Sequence, residues 1–487
     1  MSQKMNVLFV ISEAEPLIKV GGLGDVGGTL PLALKNLPES MTDPYVIDMK
    51  VVIPYHDQIK RNQWPVEPVV SFKVLSRNGF ITANVFRALK TDLPIYLIDG
   101  EPIQNTGTYS SDTSIDTKKY AFFSIAALEF CRAIKWKPDL LHAHDWHTAV
   151  AIQKLSQIRS YDTFFSQTKS LYTIHNLPYS GGNHPEILYA FDIHQAFDPE
   201  IPQYMRNLPM ALGLDAADHI NTVSKTYAEE IMTDGFGNGY QNYLRSHSGK
   251  VSGIINGIMM EQWNPSAEKV LYKNYSVDTL SDRIENKRML QQELWLPIKD
   301  QTVLFVMVGR MTYQKGFDLC VQALRQMRDL DWQIIILGTG EDSIQKTCLS
   351  LSNEFPDRVR TELRYDEPLS RRLYAGGDIL LMPSRYEPCG IAQMISMLYG
   401  CIPVACATGG LKDTIKDPFD YPDEYTGFLF SHPDVSAAEW AMRRSIEYFQ
   451  DQDNWRQIQV RAMKQDFSWE KSAKKYFDLY KSIQSSK

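Results

Sequence analysis

The feature that most constrains this fold is an alternation of short apolar runs with amphipathic helical segments along a chain of 487 residues. The runs are rich in β-branched and aromatic residues, which predicts strands buried on both faces. The segments between them place apolar residues three and four apart, as helices do. Alternating strands and helices are typical of a mostly parallel sheet covered on both sides. Because the pattern occurs twice, we predict two Rossmann-like, doubly wound α/β domains.

The predicted elements divide between two halves of the chain. In the first half, strands are predicted at residues 7–11, 50–54, 69–74, 82–88, 95–99, 139–142 and 170–174, and helices at 30–37, 118–134 and 148–159. In the second half, strands are predicted at 303–308, 332–337, 379–382 and 403–405, and helices at 318–329, 341–354 and 392–398. The runs at 69–74, 82–88 and 95–99 follow one another closely, so hairpin pairing is expected among them.

The length of the chain suits two domains of about 200–250 residues each. We predict an N-terminal Rossmann-like domain at residues 1–255 and a second at 256–468. The amphipathic segment at 469–487 is predicted to be a helix that packs back across the junction. Doubly wound domains bind ligands at the carboxyl ends of their strands, so the expected site is a crevice that the two domains share.

Composition excludes several classes of protein. The net charge is −7 and no dense Lys/Arg run occurs, so nucleic-acid binding is not expected. Six cysteines are scattered without a CxxC pair or zinc spacing, which favours a reducing, cytoplasmic location. The apolar run at the N-terminus is shorter than that of a signal peptide, and no stretch approaches the roughly 18 apolar residues of a membrane span.

A glycine-rich segment, KVGGLGDVGG, follows the first predicted strand and precedes a helix. Glycines let backbone N–H groups approach a phosphate, and a helix N-terminus favours an anion. Lys19, Gly21 and Gly22 are therefore candidate ligand contacts. The alternative is a tight strand-to-helix turn with no ligand.

Two histidine-bearing segments also follow predicted strands. The first, HAHDWH, is predicted as a sugar-binding loop that includes Asp145. A metal site is the less favoured alternative, because ligands one or two residues apart at a strand end diverge in direction, and a purely structural loop is a third. The second segment places His175 and Asn176 at the end of the next strand, where they would line the ligand site.

The second half has its own candidates at strand ends. Arg310 and Lys315 are five residues apart across a loop and could converge on a diphosphate, although two solvated basic residues are the alternative. Glu387 lies in a strand-to-helix turn and could bind sugar hydroxyls or a developing positive charge. Further candidate substrate contacts follow in this half: Cys389, Gly390, Thr408, Gly409 and Gly410.

Taken together, these segments resemble bacterial glycogen synthases and plant starch synthases. The matching segments include KVGGLGDVGGTLPLAL, HAHDWHT, YTIHNLPYSG, VGRMTYQKGFDL, PSRYEPCGIAQ and GCIPVACATGGLKDTI, in the family's order. The resemblance implies a GT-B fold of two Rossmann-like domains facing a central crevice. It also implies a retaining transfer of glucose from a nucleotide-glucose, commonly ADP-glucose, to the non-reducing end of an α-1,4-glucan.

The resemblance further implies roles for single residues. Lys19 and the glycines after it would contact the donor phosphates and glucose, and Arg310 and Lys315 would neutralise the departing diphosphate. Glu387 and His175 would hold the donor glucose. Asp145 would line the acceptor side, which belongs to the N-terminal domain, while the C-terminal domain would bind the nucleotide-sugar. No cofactor is implied, and a divalent metal is not implied either, since no Asp-x-Asp motif flanks the proposed donor site.

Two departures from the family pattern leave alternatives open. Met259 stands where the family usually has Asp, and Ala211-Leu-Gly replaces a Lys-bearing segment. These changes concern acceptor preference and domain closure more than donor chemistry. A related transferase with a different acceptor and a non-catalytic glucan-binding homologue are therefore the alternatives to an active glucan synthase. Oligomeric state is not indicated by the sequence.

Overall fold

The computed structural model describes residues 3–485 and divides them into two compact units. Unit 1 comprises the chain up to Gly257 together with the C-terminal segment from Trp469. Unit 2 runs from Ile258 to Ser468. No helix in the described part of the chain is both long and apolar enough to span a bilayer.

Unit 1 is built on a sheet of nine described strands in the order β3-β4-β5-β2-β1-β6-β7-β8-β9. The strands β3, β4 and β5 pair antiparallel and the others pair parallel, so the expected hairpins are present. The strands are β1 (Gln3–Val10), β2 (Tyr45–Pro54), β3 (Val66–Ser76), β4 (Gly79–Ala88), β5 (Ile95–Asp99), β6 (Leu140–His144), β7 (Lys169–Ile174), β8 (His219–Thr222) and β9 (Val251–Gly253).

The helices of unit 1 cover this sheet, and the longest of them is buried along most of its length. They are α1 (Gly22–Lys35), α2 (Glu39–Thr42), α3 (Asp57–Arg61), α4 (Thr113–Ala133), α5 (Asp145–Ile158), α6 (Pro185–Ala190), α7 (Pro209–Ala216), α8 (Lys225–Glu230) and α9 (Gln241–Ser246). The central strands are almost fully apolar and buried, as in β1, where Val7 and Phe9 have no exposed surface. This core fixes the sheet whose edge carries the candidate site.

Unit 2 is built on six described strands that all pair parallel, in the order β12-β11-β10-β13-β14-β15. They are β10 (Val303–Val308), β11 (Trp332–Leu337), β12 (Val359–Glu362), β13 (Ile379–Met382), β14 (Ile402–Cys406) and β15 (Phe428–Phe430). The helices are α10 (Arg283–Glu293), α11 (Phe317–Gln326), α12 (Asp342–Glu354), α13 (Glu367–Gly376), α14 (Ala392–Leu398), α15 (Gly409–Thr414), α16 (Val435–Gln450) and α17 (Gln452–Met463).

The last helix, α18 (Trp469–Ser485), packs on α1 and β7 and so belongs to unit 1. Its Tyr480 hydroxyl lies 2.8 Å from Nδ1 of His142 on β6. Its Tyr476 hydroxyl accepts a hydrogen bond from Asn221 on β8 at 3.1 Å. The buried side of α18 is therefore bonded to two central strands of the sheet.

Two local predictions are wrong. The helix predicted at residues 30–37 begins earlier, because α1 starts at Gly22 within the glycine-rich segment. A Cβ on Gly27 would lie 2.3 Å from the carbonyl oxygen of Glu13, so glycine is needed for the close approach of helix and chain. The sugar-binding loop predicted after the strand at residues 139–142 is not a loop: β6, which pairs with β1 and β7, continues to His144, and α5 begins at Asp145.

Candidate active site

The candidate residues lie at the point in each sheet where the order of the strands reverses. In unit 1, β1 and β6 are neighbours: β2 lies on the far side of β1, and β7 lies on the far side of β6. In unit 2, β10 and β13 form the same kind of pair, with β11 beyond β10 and β14 beyond β13. The carboxyl ends of two such strands open a crevice above the sheet, because the connections after them leave on opposite sides. Parallel doubly wound topology therefore predicts a ligand site at each of these two edges.

In unit 2, the loop after β10 carries Arg310 and Lys315. Arg310 is exposed, and Lys315 ends a short 3₁₀ turn, Tyr313–Lys315. Both residues line a cavity of about 230 Å³ at the carboxyl ends of β10 and β13, which Ser384 and Gly390 line as well. The predicted convergence of two basic side chains at one place is present in the structure.

The Lys315 ammonium is already bonded to a carboxylate in the turn that follows β13, the neighbouring strand in the sheet. Its Nζ donates to Oε2 of Glu387 at 2.6 Å, and the Ser384 hydroxyl donates to the same oxygen at 2.9 Å. The Glu387 side chain is 7% exposed and that of Lys315 is 24% exposed. A partly buried ion pair of this kind holds both side chains in one orientation, because neither charge tolerates loss of its partner.

The turn that presents Glu387 rests on the first glycines of α15. Gly410 donates its N–H to the Glu387 carbonyl oxygen at 3.1 Å. Gly409 has φ +45°, and a Cβ there would lie 2.0 Å from the same oxygen. A Cβ on Gly410 would meet the Cys389 carbonyl oxygen at 1.9 Å. The two glycines, which follow the N-cap residue Thr408, are thus required for this turn to approach the helix N-terminus.

In unit 1, a buried carboxylate organises the segment after β1. Glu13 is 2% exposed, and its Oε2 accepts hydrogen bonds from the N–H groups of Val20 and Gly21. Its Oε1 accepts from the Tyr109 hydroxyl at 2.7 Å. Two N–H groups of the glycine-rich segment, expected to be available to a phosphate, are therefore already bonded to Glu13. The exposed Gly22 instead begins α1, whose first N–H groups have no partner within the helix.

Lys19 stands at the exposed side of the same segment. Its ammonium lies 2.6 Å from a carboxylate oxygen of Asp25 and 3.1 Å from one of Glu15. The Lys19 side chain is 44% exposed, so these pairs contribute little to stability. A ligand anion can replace them at small cost.

The other unit 1 candidates meet at the ends of β6 and β7. The Asp145 carboxylate accepts from the backbone N–H of His175 at 2.7 Å and from that of Asn176 at 3.4 Å. Asp145 has φ +54°, a left-handed conformation that Asp tolerates better than most residues and that occurs often at functional sites. Burial raises the pKa of Asp145 to about 7, although both N–H groups oppose this shift.

The imidazole of His175 is held by a second imidazole. Its Nε2 lies 3.0 Å from Nδ1 of His144, and the two rings are 5.3 Å apart. Burial lowers the pKa of His175 to about 3 and holds that of His144 well below its usual range, so both rings are neutral at pH 7. Within residues 3–485, no group of three or more His, Cys, Asp or Glu side chains is arranged to hold a metal.

Four residues of these two edges were not among the predicted site residues: Glu13, His144, Ser384 and Gln393. His144 lies inside a quoted motif, but its bond to His175 joins positions 31 residues apart. Gln393 donates to the carbonyl oxygens of Cys389 and Gly390 and so supports the Glu387 turn. Glu13 could have been identified from the sequence, because it is a charged residue close after the apolar run of the first predicted strand.

Comparison with known proteins agrees with this geometry. The family model "Starch synthase catalytic domain" matches residues 6–246, and "Glycosyl transferases group 1" matches residues 295–459. The glycogen synthase of Thermotoga petrophila is 37% identical over 486 residues, covering 98% of each chain. That of Bacillus cereus is 35% identical over 485 residues, covering 98% of this chain and all of the relative.

Solved structures give the same result for the fold. The catalytic domain of starch synthase IV from Arabidopsis thaliana, bound to ADP and acarbose, has a TM-score of 0.86 and 28% identity, covering 99% of this chain and 100% of that one. Sucrose-phosphate synthase from Thermosynechococcus elongatus, at 17% identity and a TM-score of 0.59 over 98% of this chain and 99% of that one, shares the fold. The predicted GT-B fold class is confirmed. This chain belongs to the glycogen and starch synthase family of glycosyltransferases.

Proposed function

We propose that this enzyme transfers glucose from ADP-glucose to the non-reducing end of an α-1,4-glucan, with retention of configuration at the transferred carbon. The observation that carries the proposal is the group of Arg310, Lys315 and Glu387 at the strand reversal of unit 2, in a chain of this family. ADP is preferred over UDP because the similar starch synthase IV was solved with ADP.

In unit 2, the donor diphosphate is assigned to the cavity that Arg310 and Lys315 line. Breaking the bond between the glucosyl carbon and the diphosphate leaves negative charge on the departing oxygen. Two cations at fixed positions stabilise that charge more in the transition state than in the ground state, which accelerates the reaction. Because Glu387 already orients the Lys315 ammonium, little reorganisation is needed when the charge develops.

Glu387 is assigned a second task in the same place. One of its oxygens is used by Lys315 and Ser384, and a carboxylate has capacity for further donors. We assign that capacity to hydroxyl groups of the donor glucose. We place Cys389 and Gly390, and Thr408 with the glycines after it, around the same sugar, because they form and support the turn that carries Glu387.

In unit 1, the contact between His144 and His175 determines which nitrogen carries each proton. His144 Nε2 is buried and has no hydrogen-bond partner in the described chain. An unpaired buried N–H group is rarer and costlier than an unpaired acceptor. We therefore assign the His144 proton to Nδ1, which donates to His175 Nε2. The His175 proton then lies on Nδ1, as a donor for a glucosyl hydroxyl.

Asp145 and Asn176 complete the sugar contacts proposed for unit 1. Asp145 holds the backbone of His175 and Asn176, and the Asn176 side-chain oxygen is buried without a partner in the described chain. An unpaired buried acceptor is suited to a hydroxyl donor of the ligand. We assign Asp145 to the acceptor side and Lys19 to the donor phosphates, because its exposed ion pairs are readily exchanged.

The direct test is release of nucleoside diphosphate from ADP-glucose and from UDP-glucose, each with and without glycogen. Glycogen-dependent release of ADP, together with elongation of the glucan, is the expected result. Release with UDP-glucose alone would overturn the choice of donor. Binding of glycogen without any release would favour a non-catalytic homologue, and transfer to a small sugar but not to glycogen would favour a related transferase.

We also propose a cytoplasmic location. All six cysteines are buried, and none of them forms a disulfide in the described residues, as expected in a reducing compartment. Mass-spectrometric thiol counting on protein purified without reductant checks this: six alkylated thiols are expected after denaturation, and any disulfide would contradict the proposal.

A further inference from the structure

Unit 2 exposes a pair of parallel aromatic rings, here called the aromatic platform, formed by Phe419 and Trp440. Their ring centroids are 6.0 Å apart and their planes differ by 7°. Phe419 is 73% exposed and Trp440 is 47% exposed. Single exposed apolar residues are common on proteins, but two large rings held parallel at the surface mark an interaction site.

The platform is held from beneath by a buried ion pair. The Arg444 guanidinium lies 4.7 Å from the centroid of the Phe419 ring and 4.5 Å from that of Trp440. It donates to the carboxylate of Asp417, and the side chains of both charged residues are less than 10% exposed. Asp417 also accepts from the N–H groups of Phe419 at 2.9 Å and Leu429 at 2.7 Å. The rings are thus fixed before any ligand binds, which lowers the entropy cost of binding.

The platform lies away from the proposed donor site. Phe419 is in the connection from α15 to β15, and β15 pairs parallel with β14. This connection enters β15 at its amino end, whereas Lys315 and Glu387 follow the carboxyl ends of their strands. The platform is tied through Asp417 to Leu429 of β15, the last strand of the sheet, and β14 separates that strand from β13. Neither ring lines the cavity of Arg310 and Lys315, so the exposed rings have no place in the donor chemistry described above.

Carboxylates near the platform indicate which class of ligand it can bind. The exposed carboxylates of Asp420 and Asp423 have no side-chain partner in the described chain and accept hydrogen bonds readily. Their charge opposes an anionic partner, and in a two-fold dimer built on this patch they would oppose their own copies. A neutral polyol suits both the exposed carboxylates and the aromatic rings. Its hydroxyls donate to carboxylates, and the C–H face of a pyranose carries partial positive charge that matches an aromatic face.

We propose that the aromatic platform is a second, non-catalytic binding site for an α-glucan chain. The inference rests on the proposed function, since it takes the polymer acceptor as the ligand. A glucan repeats the same unit many times, so one molecule can occupy the platform and the catalytic site together. The local concentration of chain ends then rises without a new contact at the reacting atoms.

The test compares the wild-type enzyme with the double variant Phe419→Ala/Trp440→Ala. With glycogen as acceptor, the variant is expected to show KM raised by about tenfold, the effect of losing two ring contacts. With a short malto-oligosaccharide, too small to occupy two sites, KM and kcat should be unchanged, as should KM for ADP-glucose. Glycogen affinity electrophoresis of the same proteins should show the same loss of binding without turnover.

Matched variants separate the platform from a general surface effect. Trp295 is an 85% exposed ring of unit 2 with no aromatic partner in the described chain, so Trp295→Ala should leave glycogen binding unchanged. Phe419→Tyr keeps the ring and should keep the affinity, whereas Phe419→Leu keeps apolar area and should lose it. Equal melting temperatures would show that the double variant is folded.

The outcomes are distinguishable from failure of the proposed function. If the wild-type enzyme transfers glucose and the double variant binds glycogen equally well, the platform inference is wrong and the function stands. If the wild type shows no transfer, the function fails, and affinity electrophoresis still decides whether the platform binds glucan. If the wild type is a dimer by light scattering and the double variant a monomer, the platform joins two copies, which overturns the inference.

Discussion

The strand order reverses once in each of the two sheets, but the edge at the reversal carries different chemistry in each. In unit 2 that edge holds Arg310 and the Lys315–Glu387 pair, which are charged groups suited to a diphosphate. In unit 1 it holds His144 and His175, which burial keeps neutral, beside a carboxyl group whose pKa is about 7. The comparison teaches that strand topology determines where a site lies, and that the burial and charge of its residues determine which ligand it can bind.

The contrast extends to the titrating residues of the whole chain. Nine of the ten histidines, all except His432, lie in unit 1. Six of these nine have depressed pKa values because they are buried: His56, His142, His144, His147, His175 and His219. The fold and the candidate site of unit 1 therefore contain neutral imidazoles, while the candidate site of unit 2 contains a pair of opposite charges. The following experiments test that difference, from the largest expected effect to the smallest.

Glu387→Gln should reduce kcat by about 1,000-fold or more, because it removes the charge that orients Lys315. Steady-state ADP release with saturating donor and glycogen measures the effect. Glu354→Gln is the matched control, since Glu354 also pairs with cations of unit 2 but on the exposed surface. Equal activity of the two variants would remove Glu387 from the mechanism.

His175→Leu should lower kcat/KM by about 100-fold, the usual cost of losing one well-placed donor in a catalytic site. The smaller effect expected here than at Glu387 reflects a neutral hydrogen bond rather than a charge. The same assay checks it, with a thermal melt to show that the buried leucine is tolerated. A rate within twofold of wild type would mean that His175 does not contact the reacting sugar.

His144→Leu should lower kcat by about tenfold, because His175 loses the partner that orients its ring. His144→Asn retains a short polar side chain near Nδ1 and should recover most of the rate. Nitrogen-15 NMR of histidine-labelled protein reports the tautomer directly: His175 should carry its proton on Nδ1 in the wild type and lose that preference in His144→Leu.

The control for this pair is His219→Asn, which changes a histidine of the same unit bonded to Ser252 instead. It should alter neither the rate nor the His175 signals. If His144→Asn were as slow as His144→Leu while the His175 tautomer stayed unchanged, the role of His144 would be packing alone.

Lowering the pH should destabilise unit 1 before unit 2. A histidine with a depressed folded pKa stabilises the fold fully above its ordinary pKa of 6.5, and this contribution is lost as pH falls toward the folded value, near 4 for His56 and 3 for His175. Each such group costs about 1 kcal/mol per pH unit in that window. Asp145 has a raised pKa, so its protonation stabilises the fold as pH falls below about 7. This single effect is opposed by the six buried histidines, which destabilise the fold over the same range.

Hydrogen exchange with mass spectrometry at pH 7 and pH 5, corrected for intrinsic rates, measures this effect. Peptides of β6 and β7 in unit 1 should lose protection at pH 5, while those of β10 and β13 in unit 2 should keep theirs. Earlier loss of protection in unit 2 would show that its ion pairs, rather than the buried imidazoles, set the acid limit.

Much of the fold was predictable from the sequence because buried parallel strands are continuous apolar runs. The runs predicted at residues 303–308, 332–337 and 379–382 coincide with β10, β11 and β13. The predicted GT-B fold and glycosyltransferase class are confirmed. Short strands such as β8 and β12 were not predicted, because their polar residues give no apolar run.

The sequence suggested which residues could form the candidate site, but not the bonds between them. Strand ends and motifs identified Lys315 and Glu387, yet their ion pair joins residues 72 positions apart. The buried polar strand end at His142 and His144 was misjudged for a related reason: Tyr480 and Thr173, which satisfy His142, are distant in sequence. Tertiary partners decide whether a polar residue ends a strand or continues it. The assigned catalytic roles remain predictions.

The position of α18 has a consequence for how the molecule is made. The ribosome delivers unit 1 up to Gly257 first, but the tyrosines that bond His142 and Asn221 are delivered only after unit 2. Unit 2 is synthesised in full between these two events. During translation unit 1 is therefore begun before unit 2 and completed after it, and its sheet lacks the cover of α18 until that helix leaves the exit tunnel. A stop codon before Tyr476 would thus damage the N-terminal half of the enzyme.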